Sequence, residues 1–394
     1  LKKKTLFLFL LIGLMAFLVV GCGGTEAPAP APPAGSGDGD APKAPGFDGE
    51  IKLGFMVPVT GSEAPYGKDM ENAAKLALEE INNNGGVLGK KLVMSTADDA
   101  CDPQVASAAA TKLISENVVA VVGGYCSGAT LPTLKLYSDA DIPFVIAAAN
   151  STQLIDANDG KAFMINGTGL HQGQKAVELF NKLDAKKIAL VHQGDGYSED
   201  LAKITGQLWK DAGNEVVGTE VVTKGEQNYS SVVTRIKSKN PDFVYWTAYY
   251  ADGGLFIKQL RQGGYTGEIV VGDGSNDPKL LELAGKAASE GVFVTTNPLV
   301  EYMPVAKEFM DNYKAKYKQD PGPYSALAYD GIYLVADAIE RAGGIDSKAL
   351  IKALDDTADY KGLSGIISFN EDKTLVQSNF VLLKAEGGKW VLLD

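Results

Sequence analysis

The sequence predicts an α/β fold of two Rossmann-like parallel-sheet lobes. Three observations carry that expectation: strands alternate with amphipathic helices in a βαβαβαβ run, and the same rhythm restarts after a break at Gly167–Gly169. The third is length, since about 345 residues follow a Pro/Gly/Ala-rich N-terminal stretch, too many for one ordinary core.

Ile51 to Val57 reads as a buried strand, after which Met70, Ala73, Ala77 and Ile81 recur at helical spacing until Asn82-Asn83-Asn84-Gly85-Gly86 stops the helix. Lys91 to Ala97 is a second strand. Asp102 then caps, and Pro103 opens, a helix running to about Glu116, because proline in a first turn loses no needed donor. Val118 to Val122 forms a third strand, Ser127 to Ser138 a helix, and Pro143 to Ala147 a fourth strand. Such a run implies a parallel sheet covered on both faces. Beyond Gly169 come a helix from Gln172, a strand at Lys187–His192, a helix from Tyr197, and strands near Val216, Phe243, Ile269 and Val292. Two amphipathic helices, Tyr302 to Lys318 and Ala326 to Ala342, precede terminal strands at Gly365–Phe369, Asn379–Ala385 and Lys389–Leu393. A chain that leaves one lobe and later returns to it crosses several times, which makes a hinge.

At the N-terminus, Lys2, Lys3 and Lys4 precede an uncharged apolar run from Leu6 to Val20. A basic start followed by a short apolar stretch reads as a secretion signal over 1–21. It is too short, and lacks the flanks, for a spanning helix. Val19-Val20-Gly21-Cys22 resembles the bacterial lipobox, which implies a lipid on Cys22. From Gly23 to Glu50 the chain holds six Pro, six Ala and seven Gly, so 22–49 reads as a disordered tether.

Charge and motifs exclude several functions. With 37 basic against 49 acidic residues the net charge is −12, and loss of the three leader lysines makes it more negative, which speaks against a nucleic-acid partner. Only His171 and His192 exist, with neither H-E-x-x-H nor C-x-x-C, so no metal site is expected. Gly124-Tyr125-Cys126-Ser127-Gly128 misses the serine nucleophile elbow by one position, and neither dinucleotide nor P-loop glycine patterns occur. No enzyme and no cofactor are expected. Cys101 and Cys126 remain as an even pair in an exported chain, which reads as a disulfide.

The one feature suited to a ligand is Gly123-Gly124 leading into Ser127-Gly128-Ala129-Thr130 at a helix start. First-turn backbone N–H groups and a partial positive charge suit a carboxylate. Ser127 as a plain helix cap is the alternative from these residues alone.

Several motifs carry a resemblance: Pro65-Tyr66-Gly67, Asp98-Asp99-Ala100-Cys101-Asp102-Pro103, Tyr125-Cys126-Ser127, Gly194-Asp195-Gly196-Tyr197, Asp242-Phe243-Val244-Tyr245 and Ala328-Tyr329-Asp330-Gly331. Over residues 50–394 the sequence resembles the leucine/isoleucine/valine-binding proteins, the branched-chain amino-acid substrate-binding family of ABC transporters. That resemblance implies a type I periplasmic binding protein fold with three crossovers, lobe 1 being 50–168 plus 297–372 and lobe 2 being 169–296 plus 373–394. It implies a Cys101–Cys126 disulfide beside the pocket, closing a loop worth about 3 kcal/mol on the chain-entropy model. Ser127 is then expected on the ligand carboxylate, with Ala148 and Asn150 on carboxylate and ammonium, Ala149 as a further ligand-binding candidate, and Asp273 on the ammonium. Tyr66, Tyr125, Tyr197, Tyr249 and Tyr324, with Trp246 nearby in sequence, are the aromatic wall candidates. The chain departs from the family pattern in having Asn150 for Thr, Asp273 for Glu and Tyr125 for an aliphatic residue, and Tyr324 aligns only across a gap. The implied partners are a free amino acid, the permease subunits and the membrane through a lipid anchor, for an extracytoplasmic, lipid-anchored monomer. An amino-acid- or amide-sensing receptor domain and an exported hydrolase are the competing readings.

Overall fold

A computed structural model describes residues 46–378 and 380–393. The leader, Cys22 and most of the predicted tether lie outside the described residues. Asp48 N donates to Gly89 O at 3.0 Å just ahead of the first strand.

The first third contains β1 (Glu50–Val57), α1 (Ala64–Asn83), β2 (Lys91–Asp98), α2 (Pro103–Ser115), β3 (Val121–Gly123), α3 (Ser127–Asp139), β4 (Phe144–Ile146), α4 (Gln153–Asp156) and β5 (Ala162–Met164). The middle contains α5 (Gly169–Lys182), β6 (Lys187–His192), α6 (Ser198–Asp211), β7 (Glu215–Val221), α7 (Ser230–Lys239), β8 (Phe243–Trp246), α8 (Tyr250–Gln262), β9 (Glu268–Val271), a 3-10 turn at Asp273–Ser275, α9 (Pro278–Ala284), α10 (Lys286–Ser289) and β10 (Phe293–Thr296). The last part contains α11 (Lys307–Tyr317), α12 (Ser325–Ala342), α13 (Ser347–Asp355), the short hairpin β11 (Tyr360–Lys361) and β12 (Ile366–Ile367), then β13 (Val381–Glu386) and β14 (Lys389–Leu392).

Two main sheets result. The first has order β2-β1-β3-β4-β5 and is parallel throughout. In the second, β7-β6-β8-β9-β10 is parallel, and β13 and β14 extend it antiparallel along β10. After β10 the chain runs back to α11 and α12, which pack on α1, before re-entering the second sheet at β13. Both parallel orders are the doubly wound kind, whose ligand crevice opens at the carboxyl ends of the strands where the order reverses. In the first sheet that point lies between β1 and β3, in the second between β6 and β8.

The expected elements form with local differences. Asp102 caps α2 as its sequence predicts, its carboxylate accepting from Gln104 N at 2.8 Å and Val105 N at 3.0 Å. The strand expected from Val118 begins at Val121. Residues 118–120 run beside β1 alone, through Val119 N to Lys52 O and Gly54 N to Ala120 O, and the ladder to β4 starts only at Val121. The helix expected from Tyr302 begins at Lys307, because Pro304 pushes Met303 into extended backbone. Gly365–Phe369 supplies only the two residues of β12, paired with β11 away from the main sheets. β13 begins at Val381, and Asn379 lies outside the described residues.

Candidate functional site

The carboxyl ends of both sheets meet around one small cavity of about 10 Å³, room for roughly one water. Its walls are Tyr125 after β3, Ala148 and Asn150 after β4, Tyr197 after β6, Tyr249 after β8, Asp273 and Gly274 after β9, and Tyr324 before α12. These segments converge because each parallel strand delivers its following loop to the same edge. A roomier groove of about 680 Å³ between α7 and α8 lies open to solvent and gathers no buried charge.

Asp273 is fully buried in the 3-10 turn that ends β9, where a surface turn residue would be solvated. Its Oδ1 accepts from the Tyr197 hydroxyl at 2.7 Å, and its Oδ2 from Asn150 Nδ2 at 3.1 Å. Burial raises its pKa, and the hydrogen bonds from Tyr197, Gln172, Tyr324 and Gly274 N oppose that rise. Those partners are all neutral, so the carboxylate is held by dipoles and has no cation among them. A buried carboxylate in that condition favours an incoming positive charge.

Opposite it, α3 begins at Ser127. The Ser127 hydroxyl does not cap its own helix. It accepts from Asn150 N and Ser151 N, both at 3.2 Å, and so ties the end of β4 to the start of α3. Asn150 therefore spans the site, its backbone on Ser127 and its side-chain amide on Asp273 and on Gln172 Oε1 at 3.1 Å. The helix start and the carboxylate thus face each other across one residue.

The tyrosines form a continuous cluster. Tyr66 stacks on Tyr125 with centroids 4.9 Å apart, Tyr324 meets both edge-on at 5.6 and 5.3 Å, and Tyr249 sits 5.4 Å from Tyr197 and 6.0 Å from Tyr125. Tyr66 stands behind the cavity wall, its hydroxyl donating to Asn276 Oδ1 at 3.2 Å. Gly67 after it is required by close approach, since a Cβ there would lie 1.7 Å from Pro58 O.

Two candidates fall elsewhere. Ala149 belongs to the second hydrophobic cluster of the first sheet, with Ile146 and Leu154, and is not among the cavity's walls. Trp246 belongs to the core under α8, stacked on Phe256 at 4.9 Å with its Nε1 donating to Tyr249 O. Cys101 and Cys126 are joined in a disulfide with Cα atoms 5.4 Å apart, one residue from both Tyr125 and Ser127.

Sequence reasoning missed Gln172, whose Nε2 donates to Thr295 O at 3.1 Å and whose Oε1 receives Asn150, because one glutamine near a helix start carries no periodic signal. It also missed Glu63. That residue immediately precedes α1 and is 1 % exposed, with Oε2 accepting from the Tyr125 hydroxyl at a long 3.4 Å. Burial pushes its pKa up to about 7, against the Ser62 side chain, the Lys224 charge and the Tyr125 hydroxyl, which lower it. Among the described residues no group of three or more His, Cys, Asp or Glu side chains could hold a metal ion, and no helix is long and apolar enough to cross a membrane.

Comparison with known proteins agrees with this geometry. The periplasmic binding protein family model matches residues 50–389. The Leu/Ile/Val-binding protein of Citrobacter freundii is 34% identical over 276 residues, 70% of this chain and 75% of that protein. A leucine-binding protein of Thermotoga maritima superposes with a TM-score of 0.82 at 29% identity, covering 87% of this chain and 98% of that one. The branched-chain amino-acid transporter substrate-binding protein of Streptococcus pneumoniae, solved in complex with isoleucine, gives 0.80 at 30% identity, covering 86% and 97%. Two parallel sheets aimed at one crevice, and sequence likeness across nearly the whole described chain, lead to one conclusion: the chain belongs to the periplasmic binding protein family.

Proposed function

We propose that this protein is the extracytoplasmic substrate-binding component of an ABC importer that takes up a free α-amino acid of the leucine, isoleucine and valine class. It binds the ligand without chemical change and delivers it to the membrane permease. One observation carries the reading: a buried carboxylate with only neutral partners, Asp273, faces the start of α3 across Asn150. A zwitterion matches both, its ammonium on Asp273 and its carboxylate on the first-turn N–H groups of α3 and the Ser127 hydroxyl. The dipole adds only about 0.3–1 kcal/mol, up to roughly 2 when partly buried, so hydrogen bonds supply most of the hold.

The cavity of about 10 Å³ is too small for any amino acid, so admission requires the walls to part. The moving bodies are lobe 1, 50–168 plus 297–372, and lobe 2, 169–296 plus 373–394, which separate by a hinge motion and close Tyr197, Tyr249 and Asp273 over the ligand. A lipid on Cys22 holds the monomeric protein at the membrane, within reach of the permease.

A thermal-shift panel of the standard amino acids and small amides on the purified protein tests the reading. Leucine, isoleucine or valine is expected to raise the melting temperature. A rise with another solute and none with any α-amino acid would refute it.

A further inference from the structure

The wall at the side-chain end of the cavity differs from an aliphatic slot. Tyr125 lines the cavity, and behind its hydroxyl lies Glu63, buried yet poorly served. Glu63 Oε1 has no hydrogen-bond partner, while the rest of the carboxyl has the neighbouring Ser62 side chain and the Tyr125 hydroxyl, the latter at 3.4 Å on Oε2, at the outer limit of a hydrogen bond. The loop that carries Glu63 is gripped from the second sheet, since the Tyr250 hydroxyl at the start of α8 donates to Ser62 O at 3.1 Å. Tyr250 also meets the ring of Tyr66 edge-on at 5.4 Å. Closure therefore presses a buried carboxylate, one oxygen unmatched, against the tyrosine wall. Native structures rarely leave such an atom unmatched without a reason, and a donor brought by a ligand is one such reason.

We propose that Glu63 is a specificity-determining residue that accepts a hydrogen bond from an O–H or N–H group on the ligand's side chain, so that the protein prefers a donor-bearing amino acid to its aliphatic isostere. The proposal rests on the amino-acid reading of the site. It keeps the size of the branched-chain ligands and changes the polarity expected at their end. The donor reaches Glu63 by replacing or relaying through the Tyr125 hydroxyl, whose present bond is long enough to surrender. Tyr66, Tyr125 and Tyr324 pack ring against ring around the approach, and their faces tolerate a polar hydrogen better than an alkyl wall would. Sites built to pair a ligand donor discriminate strongly against the analogue that lacks it, because the buried acceptor is then left unpaired.

Calorimetry at about pH 8.5, where the Glu63 carboxyl is ionised and can only accept, on the full-length protein with two isosteric pairs, threonine against valine and asparagine against leucine, tests this. The wild type should bind the donor-bearing member of at least one pair about tenfold or more tighter. Glu63→Val should abolish that preference while leaving valine and leucine within about threefold, since only the donor loses its acceptor. Glu63→Gln preserves shape, serves if Glu63→Val does not fold, and should also reduce the preference. The proposal is overturned if the wild type prefers valine and leucine, or if the variants weaken both members of each pair by one factor, as a packing role would. Binding of no α-amino acid by the wild type would overturn the proposed function as well, whereas aliphatic preference sinks this inference alone.

Discussion

The parallel parts of the two sheets share one strand order and deliver opposite chemistry to the same cavity. From the first sheet come a helix start, the Ser127 hydroxyl and the amide of Asn150, all hydrogen-bonding groups without charge. From the second come the Asp273 carboxylate and the Tyr197 hydroxyl that holds it. The difference teaches that the doubly wound topology fixes where loops converge, while residue identity at each loop decides which pole of a ligand is received. Glu63 is the exception on the first side, a second carboxylate placed behind the wall that the ligand's side chain would meet.

The contrast breaks most sharply if Asp273 is removed. Asp273→Ala should weaken amino-acid binding by about 2 to 5 kcal/mol, roughly 30-fold to several thousand-fold, because the ammonium would be buried without its counter-charge. Asp273→Asn keeps the shape and should lose nearly as much. Titration calorimetry showing unchanged affinity would transfer the ammonium to another group.

The first side also carries a pH signature. Burial holds the Glu63 and Asp99 carboxyls up at about 7, well above the ordinary carboxylate range. In that window the folded protein keeps protons the unfolded chain has released. Stability should therefore be greatest near pH 4 as far as these groups are concerned, fall as pH rises through 7, and level off above. Each carboxyl contributes on the order of 3 kcal/mol to that fall. Urea unfolding of Glu63→Gln across this range should show a shallower decline, and an unchanged slope would mean that Glu63 is solvated in the folded state.

The two sides touch where neither has a side chain. A Cβ on Gly196, in the loop after β6, would lie 3.1 Å from Gly128 Cα in the first turn of α3. Gly196→Val should hold the two sides apart and weaken binding by about 1 to 3 kcal/mol, with little change in the ligand-free melting temperature. Small-angle scattering should then show no contraction with ligand. Wild-type affinity in this variant would mean that closure does not need this contact.

Legibility in the sequence followed the range of the interaction. Strands such as Ile51–Val57 and Lys187–His192 announce themselves because burial on both faces forces continuous apolar runs, and Asp102 announces α2 because capping is local. β5 has three residues like β3 and β4, but its apolar run, Ala162 to Ile165, is shorter than the runs that announce those two. Among the candidate residues, Asp273, Tyr197 and Asn150 follow only from the family resemblance, since nothing in Gly272-Asp273-Gly274 alone separates a buried carboxylate from a surface turn. Glu63 escaped both routes. An acidic residue at a helix start normally sits in water beside the dipole, and its burial here arises from Tyr125, 62 residues on, and from Tyr250 gripping the preceding residue Ser62, 188 residues from it in sequence.

The smallest expected effect is the most discriminating about Asn150, the residue that joins the two sides. Its Nδ2 donates to Asp273 Oδ2, the place a ligand ammonium is proposed to take, so the amide and the ammonium compete for one oxygen. Binding must first break that bond, and a hydrogen bond to a charged group is worth about 1.5 to 3 kcal/mol net, part of which the other donors on Asp273 take up once the amide is gone. Asn150→Thr shortens the side chain, leaves its backbone N–H free to stay on Ser127, and withdraws the competitor. Affinity for the amino acid should rise by about two- to tenfold, and the ligand-free protein should lose a comparable amount of stability because Asp273 keeps fewer partners. Weaker binding would reverse the assignment, making the Asn150 amide a direct contact to the ligand in place of its competitor.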